Sequence, residues 1–184
     1  KKSFTSLDES GSNWGKHHEW HWNGLSCHWR ILGNSQNQPI VLIHGFGASS
    51  DHWRLNAKAF ADKGFCVYAI DLIGFGKSEQ PSPAKIKTLD NYFWSKQLTS
   101  FLEQIVLSGN SRKAILIGNS LGSLVALTTI AIRPELVETI IAAPLPDPTF
   151  IKKVPSSSHQ FTKNIKECLI KTFFNLLPLE IIVP

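Results

Sequence analysis

Apolar and polar positions change rhythm along this chain. From His17 to Leu32 they alternate with period two: Trp20 and Trp22, then Leu25, Cys27, Trp29 and Ile31, with Asn23-Gly24 between the halves. Alternation interrupted by a turn-forming pair predicts two antiparallel strands joined by a tight hairpin. Three short continuous apolar runs follow, at residues 39–43, 65–70 and 114–117, and Val137 to Ala142 reads as a fourth such strand despite Glu138 and Thr139. Runs of that length suit strands covered on both faces, as in a parallel sheet. Helix-period stretches lie between them. Ser50-Asp51 is expected to cap a helix through about Lys63, closed by Gly64. Asp90 or Asn91 opens a longer amphipathic helix to about Leu107, with Phe93, Trp94, Leu98, Phe101, Leu102 and Ile105 on one face. A third helix runs from about Leu121 to Ile132 and stops at Pro134. Strand and helix in alternation predict an α/β fold with a mostly parallel sheet and flanking helices.

The rhythm is lost at both ends. Residues 1–15 are polar and rich in Ser and Gly, and read as a loose arm. After the last apolar run, Pro144, Pro146, Pro148 and Pro155 predict an extended, irregular stretch. An amphipathic helix is then expected over residues 161–177, with Ile165, Leu169, Phe173, Phe174 and Leu177 apolar.

Composition narrows the class without changing this outline. A chain of 184 residues, 42% hydrophobic and 18% charged, fits one globular domain with a sizeable core. The net charge of +5 comes from scattered Lys and Arg. No basic block and no nucleic-acid motif accompanies it, so a solvated basic surface is expected, with no nucleic-acid partner and with peripheral membrane contact left open. No apolar stretch reaches the ~18 residues that span a bilayer. Cys27, Cys66 and Cys168 are odd in number and far apart, which predicts reduced, buried thiols and an intracellular compartment. Their spacing suits no metal site, and no cofactor is expected. The chain has no Met and opens on Lys1-Lys2, so the expectation is a trimmed N-terminus or a fragment.

The candidate chemistry sits at the ends of the apolar runs. Gly118-Asn119-Ser120-Leu121-Gly122 fits G-x-S-x-G, a pattern short enough to arise by chance in roughly one chain in fifteen. Its setting is what carries weight: an apolar strand runs into it and an Ala/Leu-rich helix opens from it. The nucleophile must sit in a strained turn with its Oγ exposed. Flanking glycines let strand and helix approach, and the helix N-terminus favours the developing oxyanion. A glycine-rich turn for phosphate is the competing reading, but neither G-x-G-x-x-G nor a Walker pattern is present. His44-Gly45-Phe46-Gly47 follows the run at 39–43 and fits the second half of an oxyanion hole. The amides of Phe46 and Leu121 are the expected donors, with His44, Gly45, Gly47 and Asn119 lining the site. His44 is expected to brace this loop, because on such folds the base follows the nucleophile in the chain. Asp71, ahead of Gly74-Phe75-Gly76, is expected to organise its loop through hydrogen bonds.

Taken together, HGFGASSDHWR at 44–54, YAIDLIGFGKS at 68–78 and GNSLGSLVAL at 118–127 resemble the α/β-hydrolase superfamily over residues 15–150. Their wording is similar to a plant and cyanobacterial branch that includes pheophytinase and chlorophyll dephytylase, enzymes that hydrolyse phytyl esters. The resemblance implies an eight-stranded fold with an acid after strand seven and a His after strand eight. Six strands are legible here, so the chain is expected to be truncated after strand six. Residues 1–150 would form the N-terminal part of the core, and 151–184 the start of the cap. Asp147 is a candidate acid, and Glu180 a weaker one. The sole His after Ser120 is His159, in a Ser-rich segment, so the base is expected outside this chain and the fragment to be inactive. The implied protein is a serine hydrolase acting on an apolar ester through an acyl-enzyme. Its expected compartment is the cytoplasm, or the plastid if the branch holds. A catalytically silent binding protein, a perhydrolase and a carbon–carbon hydrolase remain alternatives on the same fold. Epoxide hydrolases and haloalkane dehalogenases carry Asp at the elbow, so Ser120 argues against them.

Overall fold

The computed structural model describes residues 14–109 and 112–143. The expected helix over 161–177, Cys168, Asp147, His159, Glu180 and the cap lie outside the described residues.

The alternating segment forms β1 (Lys16–Trp22) and β2 (Leu25–Leu32), antiparallel, with Trp22 opposite Leu25. Asn23 and Gly24 connect them with φ of 50° and 73°. Two left-handed residues in a two-residue loop match the strand twist of a hairpin, which is why Asn-Gly is favoured there. One face of the hairpin carries Trp20, Trp22, Cys27 and Trp29 into the core. The opposite face carries His17, Glu19 and His21 from β1 beside Ser26, His28 and Arg30 from β2. Alternation alone would send that second face to water. His28 and Arg30 are instead buried, because the chain after the third strand folds back over β2.

The three apolar runs and the segment after Leu136 form β3 (Pro39–Ile43), β4 (Cys66–Ile70), β5 (Ala114–Gly118) and β6 (Val137–Ala142). The sheet has six strands in the order β1-β2-β4-β3-β5-β6, parallel from β4 through β6 and antiparallel at β1 and β2. Every residue of β3 and β4 is buried. Val41, Ile43, Tyr68 and Ile70 face one layer, with Trp94, Leu98, Phe101 and Val125. Ile40, Leu42, Val67 and Ala69 face the other, with Trp53 and Ala57. Full burial of each such Leu, Ile or Phe contributes about 1.5–3 kcal/mol, so both faces of the sheet add to stability.

The helices are α1 (Asn56–Asp62), α2 (Asn91–Phe101) and α3 (Leu121–Ile132). Two differ from the sequence reading. Ser49, not Ser50 or Asp51, provides the cap, its Oγ accepting from the Asp51 amide, and it starts a short 3-10 turn (Ser50–Trp53) separate from α1. Ser50 and Asp51 are held away from capping by other partners described below. α2 starts at its Asp90 cap, but after Phe101 it widens into a π-helical turn (Leu102–Val106), closed by Leu107 N–H to Leu102 O at 2.8 Å. No helix among the described residues is long and apolar enough to cross a membrane.

The order of strands fixes where a ligand can sit. From β3 the chain passes to β4 on one side, and later to β5 on the other. Connections that leave in opposite directions open a crevice beyond the strand ends, between β3 and β5. The His44 loop and the Ser120 turn are the two segments that leave those ends.

Candidate active site

β5 ends at Gly118, and α3 begins at Leu121. The chain reverses within two residues, which forces Ser120 to φ 50°, ψ −111°. Positive φ in a residue with a Cβ stores of the order of 1–3 kcal/mol and persists only when neighbours enforce it. They do so through close approach. A Cβ on Gly118 would lie 2.4 Å from the Gly122 carbonyl, and one on Gly122 would lie 2.1 Å from the Ile43 oxygen. The glycines of the motif thus let α3 press against β5 and β3 together. Asn119 N–H donates to Ile43 O at 3.0 Å, and Gly122 N–H to Asn119 O at 2.8 Å. Ser123 Oγ donates to Gly118 O at 2.7 Å, and Asn119 Nδ2 to Ala143 O at 3.1 Å. The turn is tied to both neighbouring strands. Ser120 is half-buried, and the Leu121 amide is the first N–H of α3, which by its place has no acceptor inside the helix.

The loop after β3 comes within reach of this turn. A Cβ on Gly45 would meet Asn119 Oδ1 at 2.8 Å and Ser120 Cβ at 3.5 Å. Gly45 to Ala48 close a β-turn, with Ala48 N–H donating to Gly45 O at 3.2 Å and Gly47 at φ 71°. His44 is wholly buried, and both its ring nitrogens are engaged. Nδ1–H donates to Gly45 O at 2.7 Å, while Nε2 accepts from Leu72 N–H at 3.0 Å. Burial pushes its pKa below 6.5, consistent with the neutral tautomer those bonds require. A ring so bound has no nitrogen left to take a proton from Ser120. Its grip on the Gly45 carbonyl also sets the Phe46 amide, since N–H and C=O of one trans peptide point opposite ways. The Phe46 side chain is 80% exposed, its ring edge-on to Phe75 at 5.3 Å. Phe75 in turn touches His44 and Trp94, at 5.6 and 5.8 Å.

Asp71, at the end of β4, is 1% exposed and saturated with donors. Oδ1 accepts from Ser50 N–H at 2.6 Å; Oδ2 accepts from Lys77 N–H and from His28 Nδ1–H, both at 2.9 Å. Burial alone would raise its pKa, but the bonds from His28, Lys77 and Ser50 outweigh it and bring the carboxyl to about 2. Asp71 is therefore an anion that holds three segments together. Sequence reasoning passed over His28 and Arg30. Arg30 pairs with Asp51 at 2.5 Å and donates to Ser50 Oγ and Trp14 O. No local signal marks them: alternation places both on the face of the hairpin opposite Cys27 and Trp29.

With this geometry in place, comparison with known proteins settles the family. The chain matches the α/β hydrolase fold family over residues 38–173 and belongs to it. Epoxide hydrolase 1 of Caenorhabditis elegans is 35% identical over 136 residues, 73% of this chain and 32% of that protein. A pimeloyl-(acyl-carrier protein) methyl ester esterase of Vibrio cholerae is 32% identical over 102 residues, 55% of this chain and 34% of the enzyme. The chain thus spans about a third of the length of these two relatives. The thioesterase domain from the curacin biosynthetic pathway superposes with a TM-score of 0.66 at 19% identity, over 90% of this chain and 56% of that one, a likeness of fold.

Proposed function

We propose that this chain carries the nucleophile and oxyanion hole of a serine hydrolase that cleaves an apolar ester through an acyl-enzyme. The observation behind this reading is the strained Ser120 backbone, locked by Gly118 and Gly122 against β3 and set beside the Gly45–Ala48 turn. Ser120 Oγ would attack the ester carbonyl. The Phe46 and Leu121 amides would hold the oxyanion, with Gly45, Gly47, Asn119 and His44 shaping the turn around it. Water would then release the acyl group. The base is a histidine outside the described residues, and Asp147 is the acid candidate this chain offers.

The side chain at the elbow separates ester from epoxide chemistry. A carboxylate attacking an epoxide gives an ester that water can cleave. A serine would give an ether, which it cannot. The likeness to an epoxide hydrolase therefore extends to scaffold rather than reaction, while the methyl ester esterase shares a reaction that serine can perform. The Phe46 ring, backed by Phe75 and Trp94, supports an apolar substrate. The phytyl-type esters of the resembling branch are of that kind.

The test is covalent. In the full-length protein a fluorophosphonate probe is expected to label Ser120, and Ser120→Ala to abolish both labelling and turnover of long-chain and phytyl esters. Absence of labelling in the folded protein would favour the silent binding protein.

A further inference from the structure

The sheet face that the alternating hairpin turns away from the tryptophans holds a second histidine–carboxylate array, apart from Ser120. Asp71 Oδ2 accepts from His28 Nδ1–H at 2.9 Å, and His28 Nε2 lies 2.9 Å from His17 Nδ1. The three groups run from a carboxylate 1% exposed, through a buried imidazole, to an exposed one on the outermost strand. His17 and His28 are diagonal neighbours across β1 and β2, since His17 pairs with Arg30 and Glu19 with His28. Asp71 links this array to the rim of the candidate site. Its carboxylate fixes the Ser50 and Lys77 amides, and the next amide, Leu72, donates to His44.

We propose that His17 and His28 are positioning residues: their contact, which tolerates one proton more than the neutral pair but not two, sets the acid limit of the Asp71-anchored rim.

Proton counting gives the reason. Asp71 is ionised, so His28 Nδ1 carries the hydrogen it donates, and in the neutral pair His28 Nε2 accepts from His17 Nδ1–H. One added proton can sit on the solvent side of His17 with that bond intact. A second must go to His28 Nε2, which places N–H against N–H at 2.9 Å and opens the contact. Nearby charges resist the loading of His17. Burial, then Arg30, Lys77 and His28, lower its pKa from 6.5, and Asp51 alone raises it. Glu19 shares the face but is engaged by Ser26 Oγ at 2.7 Å and lies near His21. Glu79, on the neighbouring loop, is held by the Ser26 amide and Lys85. Arg30 is itself bound to Asp51 and Ser50. A histidine with a depressed folded pKa contributes stability in full above 6.5 and loses it as pH falls through the folded value.

The experiment is a pH titration of the full-length protein between pH 8 and 4.5. It follows the imidazole resonances and the backbone amides of Ser50, Leu72 and Lys77 by NMR, with the thermal midpoint in parallel. In the native chain His17 is expected to take the first proton below 6.5 with the three amides unmoved, and the amides to shift together in a second, more acid step, the midpoint falling through both. His17→Gln should remove the shared step. His28→Asn places a carboxamide N–H where Nδ1–H sits, so it should keep the Asp71 contact and the Ser50 and Lys77 shifts at pH 8 while also losing the step. Amides that move already with the first proton on His17, or that show no common step down to pH 4.5, would overturn the proposal. So would a step that persists unchanged in both variants. Neither readout requires catalysis, so this outcome is separate from that of the hydrolase reading.

Discussion

A single methyl group shows how tightly the Ser120 turn is packed. Gly122→Ala would place a carbon 2.1 Å from the Ile43 oxygen, a backbone atom that cannot swing aside. Overpacking of this kind typically costs 1–3 kcal/mol and more where only backbone can yield, so a loss of about 3 kcal/mol or more is expected in urea denaturation. His44 tests the other wall. Removing its ring frees the Gly45 carbonyl and the amide on the far side of that peptide. One oxyanion donor is worth roughly 100- to 1000-fold in kcat; if the Phe46 amide has the proposed role, misaiming it should cost about 10- to 100-fold in His44→Ala, with KM little changed. At this scale the sequence was informative about the glycines and the strained turn at Ser120, whose geometry follows from backbone sterics in a short window. It was silent on His28 and Arg30. Their burial depends on Ser50 and Asp71, 22 and 43 positions away from His28, and no local period carries that information.

The elements themselves were legible because each strand and helix announces its own burial. Asn23-Gly24 fits a left-handed two-residue turn, and the uniformly apolar β3 and β4 are covered on both faces. The two departures both arise from side chains used elsewhere. Ser50 donates its amide N–H to Asp71 and its Oγ accepts from Arg30 Nε–H, so the cap falls on Ser49. The end of α2 relaxes into a π turn whose Gln104 accepts from Trp20 Nε1–H, a contact 84 residues apart. The start of α2 is by contrast local. Asp90 accepts from the Phe93 amide at 2.8 Å, and Asp90→Ala is expected to lower stability by about 1 kcal/mol, read as a shift of the thermal midpoint.

For the molecule as a whole, the anion at Asp71 predicts an acid transition. Its carboxyl lies at about 2 against an ordinary 3.8, so its contribution is complete above 3.8 and disappears as pH falls through 2. The shift corresponds to about 2 kcal/mol at neutral pH. Denaturation followed from pH 5 to 1.5 should show that loss, and Asp71→Asn should flatten it in the same window. Strand order, too, could be anticipated only in part. Alternating strand and helix implied a parallel sheet, but the placement of β4 between β2 and β3, which delivers Asp71 to His28, is a tertiary choice.

The positive φ at Ser120 has a further consequence, in evolutionary and engineering terms. The backbone there suits glycine better than any residue with a side chain, so Ser120→Gly should raise the melting temperature while removing the proposed nucleophile. On the proposed function, selection for thermal endurance alone would then drive the gene toward an inert protein. A library screened for robustness therefore needs a simultaneous screen for turnover, or its best survivors will include those that no longer react.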